Sequence, residues 1–583
     1  MPPSMPERVL FFSPHAGIWQ HSFPEALVAD AISRAGANVV QITCDRQLAS
    51  YCVVMASRGL REDADPVAKA KVCRQCERDR DFIRRDFPHR SYDFGSVLGP
   101  VDERRIAAAL EGARPDRITE FTIDGIRVGQ AALYEYLIAH KRAQGGFSTA
   151  EWLAFRPRLE NVVRSLFAAQ RIIERERPTR VAIYNTLYSV NAMWRAVATQ
   201  RGIPVYVIHA GPNLAHRLQT LLIARDSTTL AMYRLVEQGR AQAEWPANGE
   251  ELAEVTDHFV EVLRGQNVFA YSAAKSHEDW RPRLGIRPDQ KVLVATMSSY
   301  DEYVAARAVG EQPDEASLLF PTQIEWVRAL VAWVRTRPEL FLLVRVHPRE
   351  FPNKRERVKS QHAALLEEAL VDLPANVRVN WPDDKLSLYD IAEYADVVLN
   401  AWSSAGKEMA LLGRPVIVYC PSLLMYSPEI NIVAETRDAY FTAIDDALGE
   451  PWSFERIRHA FRWCAVEYVR AIASIADGFD RSEARATTLR GRAKNALLAL
   501  PGARQAYDLW RRPSDLAEAA RLAEVVIGGH ASLLDVPAPR VEATLVEETA
   551  LIRAQLSRLV AALYGGAPVG AVPGTLRHYL TTP

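Results

Sequence analysis

The chain has no excess of either charge: 71 Lys and Arg stand against 71 Asp and Glu in 583 residues. A global field that recruits nucleic acid or an anionic membrane is therefore excluded as its organising principle, although a local basic patch is not. No apolar run approaches the ~20 residues that a membrane-spanning helix needs. The stretch Met1 to Phe12 carries an apolar run too short for a secretory leader and passes directly into strand-like sequence. These absences predict a cytoplasmic protein, peripheral at the inner membrane at most through partners, with no nucleic-acid partner. Cysteine is scarce, six in all, and a disulfide framework is not expected in a reducing compartment. Cys44, Cys52, Cys73 and Cys76 fall close together, the last two as C-R-Q-C. One C-x2-C is a weaker signal than two, so the choice stays open between a structural zinc and four free thiols. Cys420 and Cys464 read as core thiols.

A chain this long exceeds what one core organises, and two or three domains are expected. The stretch Ala395 to Tyr419, ADVVLNAWSSAGKEMALLGRPVIVY, has the pattern strand, polar turn, helix, turn, strand. Val397 to Leu399 and Pro415 to Tyr419 are short apolar runs of the kind that fill parallel strands buried on both faces. Ser403 or Ser404 is placed to cap the helix, Glu408 lies one turn in, and Gly413 ends it. A helix starting just beyond the carboxyl end of a parallel strand presents unpaired N–H groups and a positive dipole end, which suits an anion.

The same βα alternation runs through most of the chain. It predicts an α/β fold of two Rossmann-like parallel-sheet domains facing across a cleft, with a helical C-terminal extension. The first domain spans residues 1–268, with strands at Arg8 to Phe12 and Asn38 to Thr43 and further βα units at R-V-A-I-Y-N and P-V-Y-V-I-H. Ala64 to Arg90 is charged and interrupted and reads as an insertion, and a long helix is expected from about Arg158, just after Pro157. Ligands meet such sheets at the carboxyl ends of strands. His15, Trp19, His21, Glu25, Asn185, Tyr188 and His209 follow strands and are candidates for acceptor binding or catalysis. For Trp19 packing, and for His21 helix capping, are equally good structural accounts. The second domain, 269–481, opens at K-V-L-V-A-T and holds strands at Leu340 to Val346, Val377 to Asn380, Asp396 to Asn400 and Pro415 to Tyr419. Residues 482–583 are helical in pattern; Thr544 to Leu563 is expected to pack on the body in preference to a second subunit, with a homo-oligomer left open.

In the second domain L-V-R-V-H-P sets His347 at a strand end, followed by Pro348 and Arg349. W-P-D-D-K supplies Asp383 and Asp384, and the capped helix adds Ser403, Ser404, Gly406 and Glu408. A histidine and a serine-capped helix converging from one sheet suit a phosphate, and a carboxylate one turn into that helix suits the hydroxyls of a ribose. The ligand so described is a nucleotide. H-P, then D-x5-Y-D-I-A-x2-A-D, then W-S-S-A-G-K-E-M-A-L-L-G-R-P-V resembles the C-terminal half of bacterial capsule and surface-polysaccharide glycosyltransferases of the GT-B fold. It is most similar to the capsule-synthesis family that includes transferases of 3-deoxy-manno-octulosonic acid (Kdo), and more distantly to polysialyltransferases. The resemblance covers about Val344 to Tyr419; the first domain resembles the family in layout only.

That resemblance implies that His347 touches the donor phosphate, that Ser403 and Ser404 help hold the nucleotide, and that Glu408 lies at the ribose. It favours a CMP-linked acidic sugar such as Kdo or a sialic-acid-like nonulosonate as donor, and a glycan or glycoconjugate as acceptor. The motif does not read the base, so UDP-linked and other donors stay open. Sugar transfer needs a base for the acceptor hydroxyl and stabilisation of the leaving phosphate. The second task fits His347 and the Ser404 helix without an Asp-x-Asp metal site, so no cofactor is expected to be required for catalysis. For the base, Asp124 comes first, since I-D-G resembles the carboxylate-Gly motif of polysialyltransferases, although Asp-Gly is commonly only a turn. Glu25, His15 and His209 are the alternatives. Rival readings are a polyol-phosphate transferase, a nucleotide-sugar 2-epimerase, and a nucleotide-binding scaffold in a polysaccharide-assembly complex.

Overall fold

The computed structural model describes residues 7–142, 146–265, 269, 271, 273–276, 278–312, 318–353, 357–450, 452–479, 489–565 and 576–581. The strands of the first sheet are Arg8–Phe12 (β1), Asn38–Thr43 (β2), Arg90–Asp93 (β3), Arg180–Tyr184 (β4), Val205–Ala210 (β5) and Thr220–Arg225 (β6). Those of the second are Lys291–Thr296 (β7), Leu340–Arg345 (β8), Val377–Asn380 (β9), Val397–Asn400 (β10), Val416–Val418 (β11) and Ile432–Val433 (β12). A last strand, Ala473–Ser474 (β13), returns to the first sheet. The orders are β13-β6-β5-β4-β1-β2-β3 and β12-β11-β10-β7-β8-β9.

Pairing is parallel except where β6 meets β5 and β13. The apolar runs explain this. Val9 to Phe12, Val181 to Tyr184 and Leu340 to Val344 are buried at every position, which requires helices on both faces and therefore crossover connections. Each sheet reverses its strand order once, between β1 and β4 in the first and between β7 and β10 in the second. Those are the points where adjacent loops part and leave a crevice at the carboxyl edge.

The halves are joined by more than the connecting chain. Helix Val128–His140 packs on helix Tyr300–Ala308, and Val190 and Trp194 share one apolar cluster with Tyr303 and Val304. The buried Lys141 ammonium donates to the backbone carbonyls of Arg349 and, at 3.4 Å, Phe351. After helix Phe454–Ala465 the chain makes a π-helical turn, Val466–Arg470, and crosses back to enter the first sheet as β13. The C-terminal extension then covers both halves. Helix Ala519–Ile527 packs on Trp19–Arg34, and Leu545–Tyr564 packs both on Gly249–Leu263 and on Phe454–Ala465 of the second half, where Arg462 donates to Glu548 at 2.8 Å.

Two local expectations change. Ala64 to Arg90 is not a loose insertion: Pro66–Asp86 is a continuous helix capped by Asp65, and it delivers the edge strand β3. The long helix begins at Thr149 rather than after Pro157, because Ser148 and Glu151 close a capping box and the helix runs through the proline to Glu176. The expected domain limits at 268 and 481 fall on residues outside the described set. No described helix is long and apolar enough to cross a membrane.

Candidate functional site

Between the two carboxyl edges lies a cleft of about 270 Å³. Its floor comes from the second sheet. β7 ends in Thr296 and Met297, β8 in Arg345 and His347, and β10 leads into Ser403, Ser404 and the helix Ala405–Leu411 with Lys407 and Glu408. Its roof comes from Pro212, Leu214 and Arg217 of the first half, and its sides from His258, Phe269, Tyr271 and Glu467.

The turn after β10 is held by Asn400. Its side chain accepts from the Thr296 hydroxyl at 2.8 Å and donates to the Ser403 carbonyl at 3.0 Å and the Tyr426 hydroxyl at 3.1 Å. Gly406 lies against this knot. A Cβ there would come within 2.1 Å of the Tyr426 oxygen and 2.5 Å of the Asn400 amide nitrogen, so the close approach needs glycine. The Ser403 hydroxyl accepts from the Ala405 N–H at 3.3 Å, while the Ser404 hydroxyl donates to Glu408 at 3.1 Å. The second oxygen of Glu408 accepts from the Tyr389 hydroxyl at 2.7 Å.

Three cations concentrate here. Arg345 is buried and donates to the Asn380 side chain at 2.6 Å and the Leu386 carbonyl at 2.8 Å. Burial pushes its pKa down to about 10, which still leaves it charged at neutral pH. Lys407 pairs with Glu467 at 2.6 Å. Burial acts to lower its pKa, but that ion pair outweighs it and holds the ammonium above its ordinary value. Arg217 lies over the Phe269 ring at 5.0 Å. His347 accepts the Arg349 N–H on Nδ1 at 3.3 Å, which leaves Nε2 for a ligand; burial lowers its pKa to about 4, so it is neutral in the ligand-free cleft. Opposite, His258 accepts the Leu214 N–H on Nδ1 at 2.9 Å and meets the Tyr468 hydroxyl through Nε2 at 3.2 Å.

Of the residues singled out from sequence, His347, Pro348, Ser403, Ser404 and Glu408 line this cleft together. Arg349 does not. Its guanidinium is buried against Asp301, Nη2 to Oδ2 2.9 Å, and donates to the Tyr271 hydroxyl at 3.0 Å, so it supports the wall from behind. Asp383 and Asp384 are exposed in the turn Pro382–Asp384, and Asp384 is occupied by the Trp381 N–H at 2.8 Å.

In the first half, imidazoles and phenols line the carboxyl ends of β1, β4 and β5. His21 stacks on Tyr184 at 4.1 Å, Tyr184 on His209 at 5.9 Å, and His15 meets Tyr188 edge-on at 5.6 Å. Burial pushes His15 and His209 to about 4 and His21 to about 3; for His209 and His21 nearby charges, Arg217 among them, add to the effect. Arg217 thus belongs to both groups. Glu25 lies beneath them, accepts the Tyr184 N–H at 3.2 Å, and is pushed up to about 8 by burial. Asn185 adopts φ +55 and accepts the Leu187 N–H at 3.1 Å, so its side chain holds its own turn.

Two candidates are corrected. Asp124 sits at φ +50 in the exposed turn between Ile123 and Ile126, accepting from Gln170 at 2.9 Å while its carbonyl accepts from Gln200. Gln200 ends the helix Ser189–Gln200, which starts at the cleft edge; Asp124 is therefore on the order of 18 Å away at the opposite edge of the sheet, and Asp-Gly here is a turn. Trp19 is buried, donates from its indole to Asp508 at 2.8 Å and stacks on Phe23 at 5.0 Å, so it fastens the C-terminal extension rather than meeting a ligand.

Cys44, Cys52, Cys73 and Cys76 do gather around one small cavity as free thiols. Burial raises Cys52 to about 12 and Cys76 to about 11, which keeps them protonated. Among the described residues no three Cys, His, Asp or Glu side chains are arranged to hold a metal ion.

No protein-family model and no curated protein matches the chain. Among solved structures it is similar to a putative UDP-N-acetylglucosamine 2-epimerase from Listeria monocytogenes, at 11% identity over 82% of this chain and 97% of that one, with a TM-score of 0.27. It is also similar to the β-Kdo 2,4 transferase of Thermosulfurimonas dismutans KpsC, at 14% identity over 50% of this chain and 80% of that one, TM-score 0.31. A third is the glycosyltransferase SnogD from Streptomyces nogalater, at 13% identity over 80% and 96%, TM-score 0.23.

Proposed function

We propose that the chain is a glycosyltransferase that moves a sugar from a nucleotide donor to a surface glycan or glycoconjugate, working in the cytoplasm. The observation that carries this reading is the convergence of Arg345, Lys407, His347 and the Ser403–Ser404 turn on one cleft at the strand-order reversal of the second sheet. Such a group stabilises the charge that develops on a departing nucleotide phosphate. Glu408, one turn above it, suits the ribose. The favoured donor is a CMP-linked acidic sugar, whose carboxylate would meet Arg217 from the roof.

The base is drawn from the first half, and His209 fits it best. Its Nδ1 lies 2.9 Å from the Ala210 carbonyl, which can only accept, so Nδ1 carries the proton and Nε2 keeps its lone pair. In the reaction Nε2 takes the proton of the acceptor hydroxyl, whose oxygen bonds to the anomeric carbon. The bond from that carbon to the phosphate oxygen breaks, and the nucleotide leaves with the electron pair. Tyr184 stacks on the His209 ring, and Glu25 accepts the Tyr184 N–H behind it.

Calorimetry with CMP, UDP and CDP, followed by turnover of a panel of their sugar conjugates, tests the reading. His209→Gln is expected to lower kcat by ~10²–10⁴-fold with nucleotide affinity unchanged. Absence of binding by any of the three nucleotides refutes the proposal, and release of a free epimer without acceptor replaces transfer by epimerisation.

A further inference from the structure

Away from the cleft, residues 489–512 form a helical hairpin: Leu489–Leu498, a turn through Pro501 and Gly502 at φ +80, and Ala503–Arg511. The second helix is anchored. Asp508 accepts from Trp19 at 2.8 Å and pairs with Arg504 at 3.3 Å, Gln505 donates to Asp79 at 2.9 Å, and Arg512 donates to the Asp86 carbonyl at 2.8 Å. The first helix packs on the second and has no buried residue.

Its amphipathic pattern is turned outward. Leu489, Ala493, Ala496, Leu497 and Leu500 recur at helical spacing and make one apolar stripe. A helix that stabilises a globular body buries such a stripe; here Leu489 is 83%, Leu497 63% and Leu500 57% exposed, and Trp510 of the second helix is 79% exposed. Leu498, on the opposite side, is the partly covered one. Arg490 and Arg492 fall on the two flanks of the stripe, with Lys494 beyond Arg490. Across 489–512 six Lys and Arg stand against one acid, Asp508, and that acid is buried and engaged. No carboxylate among the described residues pairs with Arg490, Arg492 or Lys494. In a chain whose total charge balances, this is a concentrated basic patch.

We propose that this hairpin is a docking surface for an anionic lipid membrane, with Leu489, Leu497, Leu500 and Trp510 seated at the headgroup–acyl boundary and the flanking cations on acidic headgroups. Aliphatic residues and a tryptophan between arginines suit that boundary, where apolar burial and charge attraction act together. A nucleic acid would engage the cations and leave the leucines in water. A second copy of the chain would bring Arg490, Arg492 and Lys494 against their own counterparts. The proposal is independent of the transfer reaction.

Flotation of the full-length protein with vesicles of phosphatidylcholine alone, or of equimolar phosphatidylcholine and phosphatidylglycerol, tests it. The wild type is expected to float with the mixed vesicles at low salt and to remain largely unbound with the neutral ones. Replacing Arg490, Arg492 and Lys494 together by Ala is expected to weaken partitioning on the order of a hundredfold. Leu489→Glu, Leu497→Glu and Leu500→Glu combined are expected to abolish it while CMP binding and the thermal midpoint stay at wild-type values, since all three side chains are exposed. Failure of the wild type to float with the mixed vesicles overturns the proposal, as does equal flotation of the triple Glu variant. A wild-type dimer that the Glu variant converts to a monomer assigns the surface to self-association and overturns it too.

Discussion

Lys407 and Glu467 form a 2.6 Å ion pair with side chains 9% and 10% exposed, at the border of the cleft. The other Glu467 oxygen accepts the Trp463 indole N–H at 3.2 Å. Glu467 lies in the π-helical turn Val466–Arg470, and its carboxylate reaches Lys407 at the floor of the cleft. Lys407→Met leaves a buried carboxylate with the indole alone, and Glu467→Gln leaves a buried ammonium without its counter-charge. Each costs on the order of 3–5 kcal/mol in the ligand-free protein. The two variants part company when nucleotide is added. A phosphate supplies Glu467→Gln with the anion it has lost, so CMP is expected to raise its thermal midpoint by more than it raises that of the wild type. Lys407→Met loses a charge-assisted hydrogen bond worth ~1.5–3 kcal/mol, and its affinity for CMP is expected to fall about 10- to 100-fold. Thermal melts with and without CMP, together with calorimetry, measure both effects. Equal CMP-induced shifts in wild type and Glu467→Gln, or unchanged affinity in Lys407→Met, would refute the assignment of Lys407 to the phosphate.

Gly406→Ala forces a methyl onto the Tyr426 hydroxyl and the Asn400 amide. A loss of ~1–3 kcal/mol in stability is expected, with weakened nucleotide binding in calorimetry, because the turn carrying Ser403 shifts. Burial pushes the folded Glu25 carboxyl up to about 8 from its ordinary 4.5, so the folded chain binds the extra proton between those values. The stability this contributes is complete below the unfolded value and is lost as pH rises to the folded one. Glu25→Gln is therefore expected to flatten the decline of the thermal midpoint between about pH 5 and 9. Asp124→Asn, at the far edge of the first sheet, is expected to leave kcat and KM unchanged in a transfer assay.

Arg8–Phe12, Asn38–Thr43 and Val377–Asn380 have the limits read from the sequence; the first two are apolar runs buried on both faces, whereas Val377–Asn380 is an edge strand with Arg378 exposed. β6 and β13 were not legible. Thr220–Arg225 follows β5 through a short irregular turn and runs antiparallel, and Ala473–Ser474 is two residues long, its pairing fixed by tertiary return. In the site, His347, Ser403, Ser404 and Glu408 could be grouped because parallel strands of one sheet bring their following loops to one edge. Arg345 and Lys407 stood inside the same motifs and were passed over. A charge within an apolar run signals burial beside something polar, but periodicity does not say that the something is a cavity. Arg217, Tyr271 and Glu467 arrive from three distant segments, and no local pattern announces them. Asp124 failed for the opposite reason: the letters of a turn and of a carboxylate-Gly motif are the same.

The return of the chain as β13 has a consequence for biosynthesis. β6 is complete by Arg225, but its outer hydrogen-bonding edge is not covered until Ala473 has been made, roughly 250 residues later, or ~12–50 s at ordinary translation rates. Leu522, Val525 and Val526, which cover the face of the same sheet, emerge later still. During that interval the nascent first half presents an unpaired edge and an uncovered apolar face. Ribosome-bound chains halted before residue 473 are therefore the species on which chaperones should be found.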